Sequence, residues 1–215
     1  MKHKISIFTI KILLITLILL SLPVYQLIAA KKDIPVKVVG LYSETDAGYV
    51  SYRVGSGSWT VVKIGQEIPY DAEITINVDR DWVEVCQINN MNEVYELTGS
   101  ESGTVTMKVS EILKGKKRKV SFPKEGDKPD KKFENKVVVK EYWGKQNYRS
   151  PEEGFRYIKY GDILDATGTV QIIAINNTLT LVFANGKETK VIGPLKFQVE
   201  KLLKGENLYK YLNVK

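Results

Sequence analysis

Apolar and polar residues alternate with a period of two along much of this chain, the spacing of strands with one buried face. Residues 34–39, 73–78 and 103–107 alternate cleanly, and so do 178–183 and 195–199. Turn chemistry separates these runs at Gly55-Ser56-Gly57-Ser58, Asn89-Asn90, Asn176-Asn177 and Asn185-Gly186. The last of these is a strong hairpin signal, because both central residues of the favoured two-residue turn need positive φ. Helical spacing occurs only around 109–113 and 199–203. The pattern predicts an all-β protein built from small antiparallel sandwiches or rolls.

The pattern is written twice. Residues 59–68 return as 155–164, with Trp59, Val61, Gly65 and Ile68 corresponding to Phe155, Tyr157, Gly161 and Leu164. The offset of 96 persists, so that Ile74 matches Val170, Ile76 matches Ile172, Val83 matches Leu179 and Val85 matches Leu181. Positions apolar in both copies are the expected core, since a one-residue slip would turn them to water. Each copy closes alike, 107–115 against 197–205, where the offset has fallen to 90. The first copy is therefore six residues longer (96 − 90), in the loops near 89–92 or 99–103. These matches give two tandem β modules, 33–113 and 134–205, each ending in a short helix. A basic linker at 114–133 joins them, expected to be extended and mobile from its charges, Pro123, Pro129 and Gly126. A tail follows at 206–215.

The first thirty residues read as an export signal. A basic start at Lys2 and Lys4 precedes an apolar run from Ile12 to Leu22, and small residues end at Ala30, the expected cleavage point. An uncleaved anchor over 12–30 is the alternative, since that span approaches the ~20 residues that cross a bilayer. The expected location is the periplasm, with secretion or inner-membrane anchoring as alternatives. Removing 1–30 takes away three lysines and no acid, lowering the formal charge from +7 to +4. The basic run Lys114 to Lys119 then reads as a solvated linker and not a nucleic-acid patch.

Residue usage excludes several chemistries. The only histidine, His3, lies in the signal, so the mature chain has no histidine-based triad or metal site. Cys86 is alone, which rules out an internal disulfide and leaves a buried apolar role, a reactive thiol or a covalent dimer. No Asp-x-Asp-x-Asp-Gly calcium loop occurs. No cofactor is expected. Paired carboxylates, Glu67 with Glu73 or Asp162 with Asp165, are the remaining catalytic option. Turn acids more commonly cap or solvate.

Each module resembles the FecR domain, the periplasmic β domain of iron-dicitrate signal transducers. The resemblance rests on an aromatic-to-glycine strand and its turn, Gly65-Gln66-Glu67-Ile68 and Gly161-Asp162-Ile163-Leu164. It continues through Ala72-Glu73-Ile74 and Gly168-Thr169-Val170 to the closing Gly193-Pro194-Leu195-Lys196-Phe197. The first module lacks the Asn-Gly hairpin and the Gly-Pro, and neither copy carries the family's threonine-glycine pair. About ten residues precede the apolar run, too few for a sigma-factor-controlling segment. The resemblance implies an exported binding or scaffolding protein.

The partner expected is an envelope protein or a peptidoglycan or other glycan component, with no nucleic acid and no set oligomeric state. A secreted or surface carbohydrate-binding protein is the alternative, and a carboxylate-dependent cell-wall hydrolase a weaker one. Trp82 and Glu84 lie opposite the predicted core residues Val83 and Val85, where the second copy has Thr178 and Thr180. Trp82 and Glu84 are therefore candidates for an interaction surface, unless the linker or the other module covers them. The aromatic cluster Tyr142, Trp143 and Tyr148, leading to Phe155 and Tyr157, joins that candidate surface as a stack for sugar or peptide, with core or module packing as the commoner role.

Overall fold

The duplication seen in the sequence is present strand for strand in the computed structural model, which describes residues 34–43, 50–126 and 128–211. The expected signal and Ala30 lie outside these residues. The first repeat runs β1 (Val36–Tyr42), β2 (Val50–Arg53), β3 (Thr60–Val61), β4 (Glu67–Ile68), β5 (Glu73–Ile76), β6 (Trp82–Gln87), β7 (Asn90–Thr98) and β8 (Val105–Lys108), then helix α1 (Val109–Ile112). A short strand β9 (Lys117–Lys119) follows. The second repeat runs β10 (Lys136–Trp143), β11 (Gln146–Ser150), β12 (Gly154–Tyr157), β13 (Ile163–Asp165), β14 (Thr169–Ile172), β15 (Thr178–Phe183), β16 (Glu188–Ile192) and β17 (Leu195–Gln198), then α2 (Val199–Leu203). The chain is all-β, and each repeat ends in the short helix that its spacing predicts.

Matching turns are held by matching bonds. Gly65 and Gly161 sit at φ 78° and 75°, a region open to glycine but strained for other residues. Their amides donate to the carbonyls of Val38 and Val139 at 2.9 and 2.7 Å. At the helix starts, the Val109 amide donates to Ala72 and the Val199 amide to Gly168, both at 2.9 Å. The expected core pairs, from Ile74 and Val170 to Val85 and Leu181, are all at most 1% exposed. Both suggested loops share the extra length. Val83 pairs with Leu97 and Leu179 with Val191, a separation of 14 against 12, so the β6–β7 hairpin takes two residues. The other four (6 − 2) lie between Gly99 and β8, around the Ser100–Gly103 bridge.

The repeats do not fold as separate beads. One nine-stranded sheet crosses both in the order β16-β15-β10-β1-β6-β7-β9, with β4 on β1 and β13 on β10. At its centre the first strand of each repeat pairs in parallel, Gly40 with Tyr142 and Leu41 with Trp143. Every other ladder is antiparallel. Each repeat adds a four-stranded sheet, β3-β2-β5-β8 in the first and β12-β11-β14-β17 in the second.

The central sheet is buried on both faces. Val36, Val38 and Leu41 of β1 belong to the first repeat's core, while Val39 and Tyr42 join the second repeat's core. A register shift between Val38 and Gly40 carries Leu41 onto the face of Val38, because an inserted residue reverses the strand's alternation. The second repeat has the same shift between Val139 and Glu141, placing Tyr142 on the face of Val139. Two cores thus share one sheet, and β6 is buried at five of its six positions.

The segment 114–133, expected from its composition to be extended and mobile, is extended and makes specific contacts with the second half of each repeat. Its strand β9 pairs with β7, and the Val120 amide donates to Asn92 at 2.9 Å. Val120 and Phe122 pack on the second core, and Phe133 is buried. Farther along, the Gly126 and Asp130 amides bond to Asn185 and Ala184 of the β15–β16 hairpin. Apolar residues spaced between charges anchor a segment that averages as polar.

Candidate functional site

Four of the five residues expected on a surface lie in the interior. Trp82, Glu84, Tyr142 and Tyr148 are at most 7% exposed, and Trp143 is half-buried against the first core. The reason is the shared sheet: the face of β6 that a lone module would leave to water is covered by the second repeat. Trp82 stacks on Tyr42 with centroids 3.9 Å apart, and Tyr157 meets it edge-on at 5.8 Å. The Trp82 indole Nε1 donates to the Tyr142 hydroxyl at 2.7 Å, which donates to Glu84 Oε2 at 2.9 Å.

Glu84 is the polar hub of this seam. Its carboxylate also accepts from the Tyr160 amide at 2.8 Å and from Arg118 of β9 at 2.6 Å. Burial pushes its carboxyl above the usual range, opposed chiefly by the Arg118 charge. Arg118 reaches on to the Tyr160 carbonyl at 2.6 Å. First repeat, β9 and second repeat are joined through one side chain. Tyr148 is equally structural, its hydroxyl accepting from the Asp165 amide at 3.0 Å and its ring lying under the Arg156 guanidinium. Cys86 is fully buried and its thiol is pushed up to about 12 by that burial, which leaves no thiolate at neutral pH.

One carboxylate of each expected pair is engaged by an arginine. Glu73 is held by Arg53 at 2.8 Å, while Asp162 is held by Arg156 and accepts from the Lys159 amide. Gln66 accepts from the Lys63 amide at the corresponding turn, so the Asp162 position caps a turn in both copies. Among the described residues no cluster of three potential metal ligands occurs. A cleft of about 360 Å³ beside the seam is lined by Glu84, Glu96, Lys117, Arg118 and Lys159. Most of its charges are matched, Arg118 to Glu84 at 2.6 Å, Lys117 to the neighbouring Glu93 at 2.7 Å and Lys159 to Glu96 at 2.5 Å, while Lys116 also lines it.

The outer faces of the two four-stranded sheets are different. In the second repeat, register aligns Tyr157, Asn147, Gln171 and Lys196 in one row and Phe155, Arg149, Thr169 and Gln198 in the next. Six of these, Asn147, Arg149, Phe155, Thr169, Gln171 and Lys196, surround a hollow of about 300 Å³ with no carboxylate in its lining. Asn147 Oδ1 is buried and has no hydrogen-bond partner. Such an orphan acceptor is rare and calls for an explanation.

The first repeat supplies a comparison inside the same molecule. There Arg53 occupies the position of Arg149, Trp59 that of Phe155 and Glu73 that of Thr169. Arg53 bonds to Glu73 at 2.8 Å and lies 4.6 Å over the Trp59 ring. In the second repeat the arginine remains but its carboxylate is gone. Sequence reasoning had picked out Phe155 and Tyr157 but not the polar residues around them. The 96-residue offset that aligned the cores also lays Thr169 on Glu73, and the signal was available there.

Family models, curated proteins and solved structures were each compared with this chain, and none matches.

Proposed function

We propose that this chain is an exported, non-enzymatic, FecR-like protein of the bacterial envelope that holds another envelope component. The observation that carries this reading is a recurrence. Trp59 and Val61 are 41% and 51% exposed in the first repeat, and their counterparts Phe155 and Tyr157 are 59% and 37% exposed in the second. Each pair lies at the edge strand of a four-stranded sheet, β3 or β12. Keeping large apolar groups in water at the same place twice costs solubility, and such patches mark interaction sites. The structural engagement of Glu73 and Asp162 supports a non-catalytic role, against the hydrolase reading. This reading takes residues 1–30 as an export signal cleaved at Ala30 and the periplasm as the location, with secretion or inner-membrane anchoring by 12–30 as the alternatives.

A carbohydrate-binding role is the second reading. The unpartnered Asn147 Oδ1 beside an exposed phenyl ring favours it. Photocrosslinkers placed at Trp59 and Phe155 in living cells, with a Lys190 probe as control, test the general reading. Capture of periplasmic protein or cell-wall material at the first two positions supports it. Cell-wall hydrolysis by the purified protein, lost in Glu67→Gln with Asp162→Asn, overturns it in favour of the enzyme.

A further inference from the structure

We propose that the outer face of the β12-β11-β14-β17 sheet binds an acidic saccharide, a sugar ring bearing a carboxylate, and that this carboxylate takes the place Glu73 holds in the first repeat. The inference rests on the reading of the chain as a binding protein and names the ligand for one of its two faces.

The argument begins with Arg149. Its counterpart Arg53 is neutralised at 2.8 Å by Glu73 and covered by Trp59. Thr169 stands where that carboxylate would be, and neither Arg149 nor Lys196 makes an ion pair among the described residues. Two cations therefore border a hollow lined by no acid. Guanidinium donors form a planar fork that matches a carboxylate, so the missing group has a defined chemistry.

Two further residues select a saccharide over a peptide. Asn147 Oδ1 is a buried acceptor without a donor, and a carboxylate cannot satisfy it. A sugar hydroxyl can once the Asn147 amide turns outward, since its oxygen is closed to water in the free protein, and a second hydroxyl can bond the exposed Gln171 amide in the same row. Phe155 offers a ring 59% exposed at the border of the hollow, a platform for the apolar face of a pyranose. Directly under the hollow β11 and β14 are each paired on both sides, so an extended peptide could pair its backbone only at the sheet edges, β12 and β17. The hollow of about 300 Å³ lies at the small end of ligand sites, which run from roughly 300 to 1,000 Å³.

Isothermal titration of the full chain with a short oligogalacturonate tests this, alongside its methyl ester and a glutamate-rich peptide. The expected result is saturable binding of the acid form at one site, weakened about tenfold or more in the neutral ester. Thr169→Glu rebuilds the first repeat's internal pair and should abolish binding while leaving the thermal midpoint unchanged. Glu73→Thr, in the other repeat, should leave binding at the second-repeat site as in the wild type. Equal binding of the methyl ester, preference for the peptide, or undiminished binding by Thr169→Glu each overturns the proposal. Absence of saccharide binding alongside crosslinking to an envelope component at Phe155 overturns this inference alone, whereas loss of both overturns the general reading too.

Discussion

The backbone amide of Tyr160, in the second repeat, donates a 2.8 Å hydrogen bond to the side chain of Glu84 in the first. Residues 76 positions apart are thereby joined at a carboxylate 1% exposed. Replacing Glu84 with alanine leaves the Tyr142 hydroxyl and Tyr160 amide buried without an acceptor and removes one of the anchors of Arg118, which keeps its bond to the Tyr160 carbonyl. We expect a loss of about 3 kcal/mol or more in denaturant unfolding. A loss below about 1 kcal/mol would mean that water replaces the carboxylate freely.

The same group sets a pH dependence of known sign. Burial raises the folded-state pKa of Glu84 above its ordinary 4.5, so the folded chain binds this proton more tightly than the unfolded one. Its favourable contribution is complete below pH 4.5 and is lost as pH rises through the raised value. Glu84→Gln removes that titration while keeping an acceptor near Tyr142 and Tyr160. The stability of the wild type minus that of the variant should therefore fall as pH climbs from about 4 to 7. Thermal melts of both proteins across that range measure it, and a difference that grows with pH contradicts the assignment.

Much of this arrangement was legible in the residues, and the limit is instructive. Core positions and turn glycines came directly from the duplication, because each copy reports where the other tolerates no polar group. What periodicity could not give was the parallel pairing of Gly40 with Tyr142 and Leu41 with Trp143. That contact follows from the shape of two completed sheets and leaves no local signature. Trp82 and Glu84 were left open between surface and interior for this reason: alternation distinguishes two faces of β6 but not whether both are covered. Cys86 carried a hint, since an apolar residue shares the supposedly wet face with Trp82. Arg118 was hidden differently, inside a run of lysines whose composition described the average and not the one side chain reaching the interior.

Gly40 should be intolerant of any side chain. A Cβ there would lie 2.2 Å from Tyr142 Cε1, on the strand pair that joins the repeats. Gly40→Ala must displace the tyrosine that bonds both Trp82 and Glu84, and we expect a cost of about 1–3 kcal/mol. Gly126→Ala is the control, since nothing lies within 4 Å of a Cβ at that position. It should stay within about 0.5 kcal/mol of the wild type in the same unfolding assay.

Cys86 reports on the seam. Its side chain is fully buried and its Sγ lies 3.9 Å from the Met91 carbonyl, on the face shared with Trp82. A thiol-reactive dye should label the native protein only as fast as it unfolds, and Glu84→Ala should speed that labelling. Rapid labelling of the native wild type would show the seam to open without unfolding.

Separating the repeats should expose what each hides for the other. Val39, Tyr42, Trp82, Cys86 and Val94 of the first repeat are buried in the second repeat's core, and each large apolar side chain returned to water costs roughly 1.5–3 kcal/mol. A chain ending at Gly115 would present them as an apolar face alongside a central strand without its partner. Unpaired strands with such faces associate with one another. We expect residues 33–115 alone to aggregate or self-associate in sedimentation measurements, and to become soluble and monodisperse when co-expressed with residues 116–215. A monomeric, cooperatively folding first repeat would show that its own core suffices and that the shared sheet is a docking contact added to a finished domain.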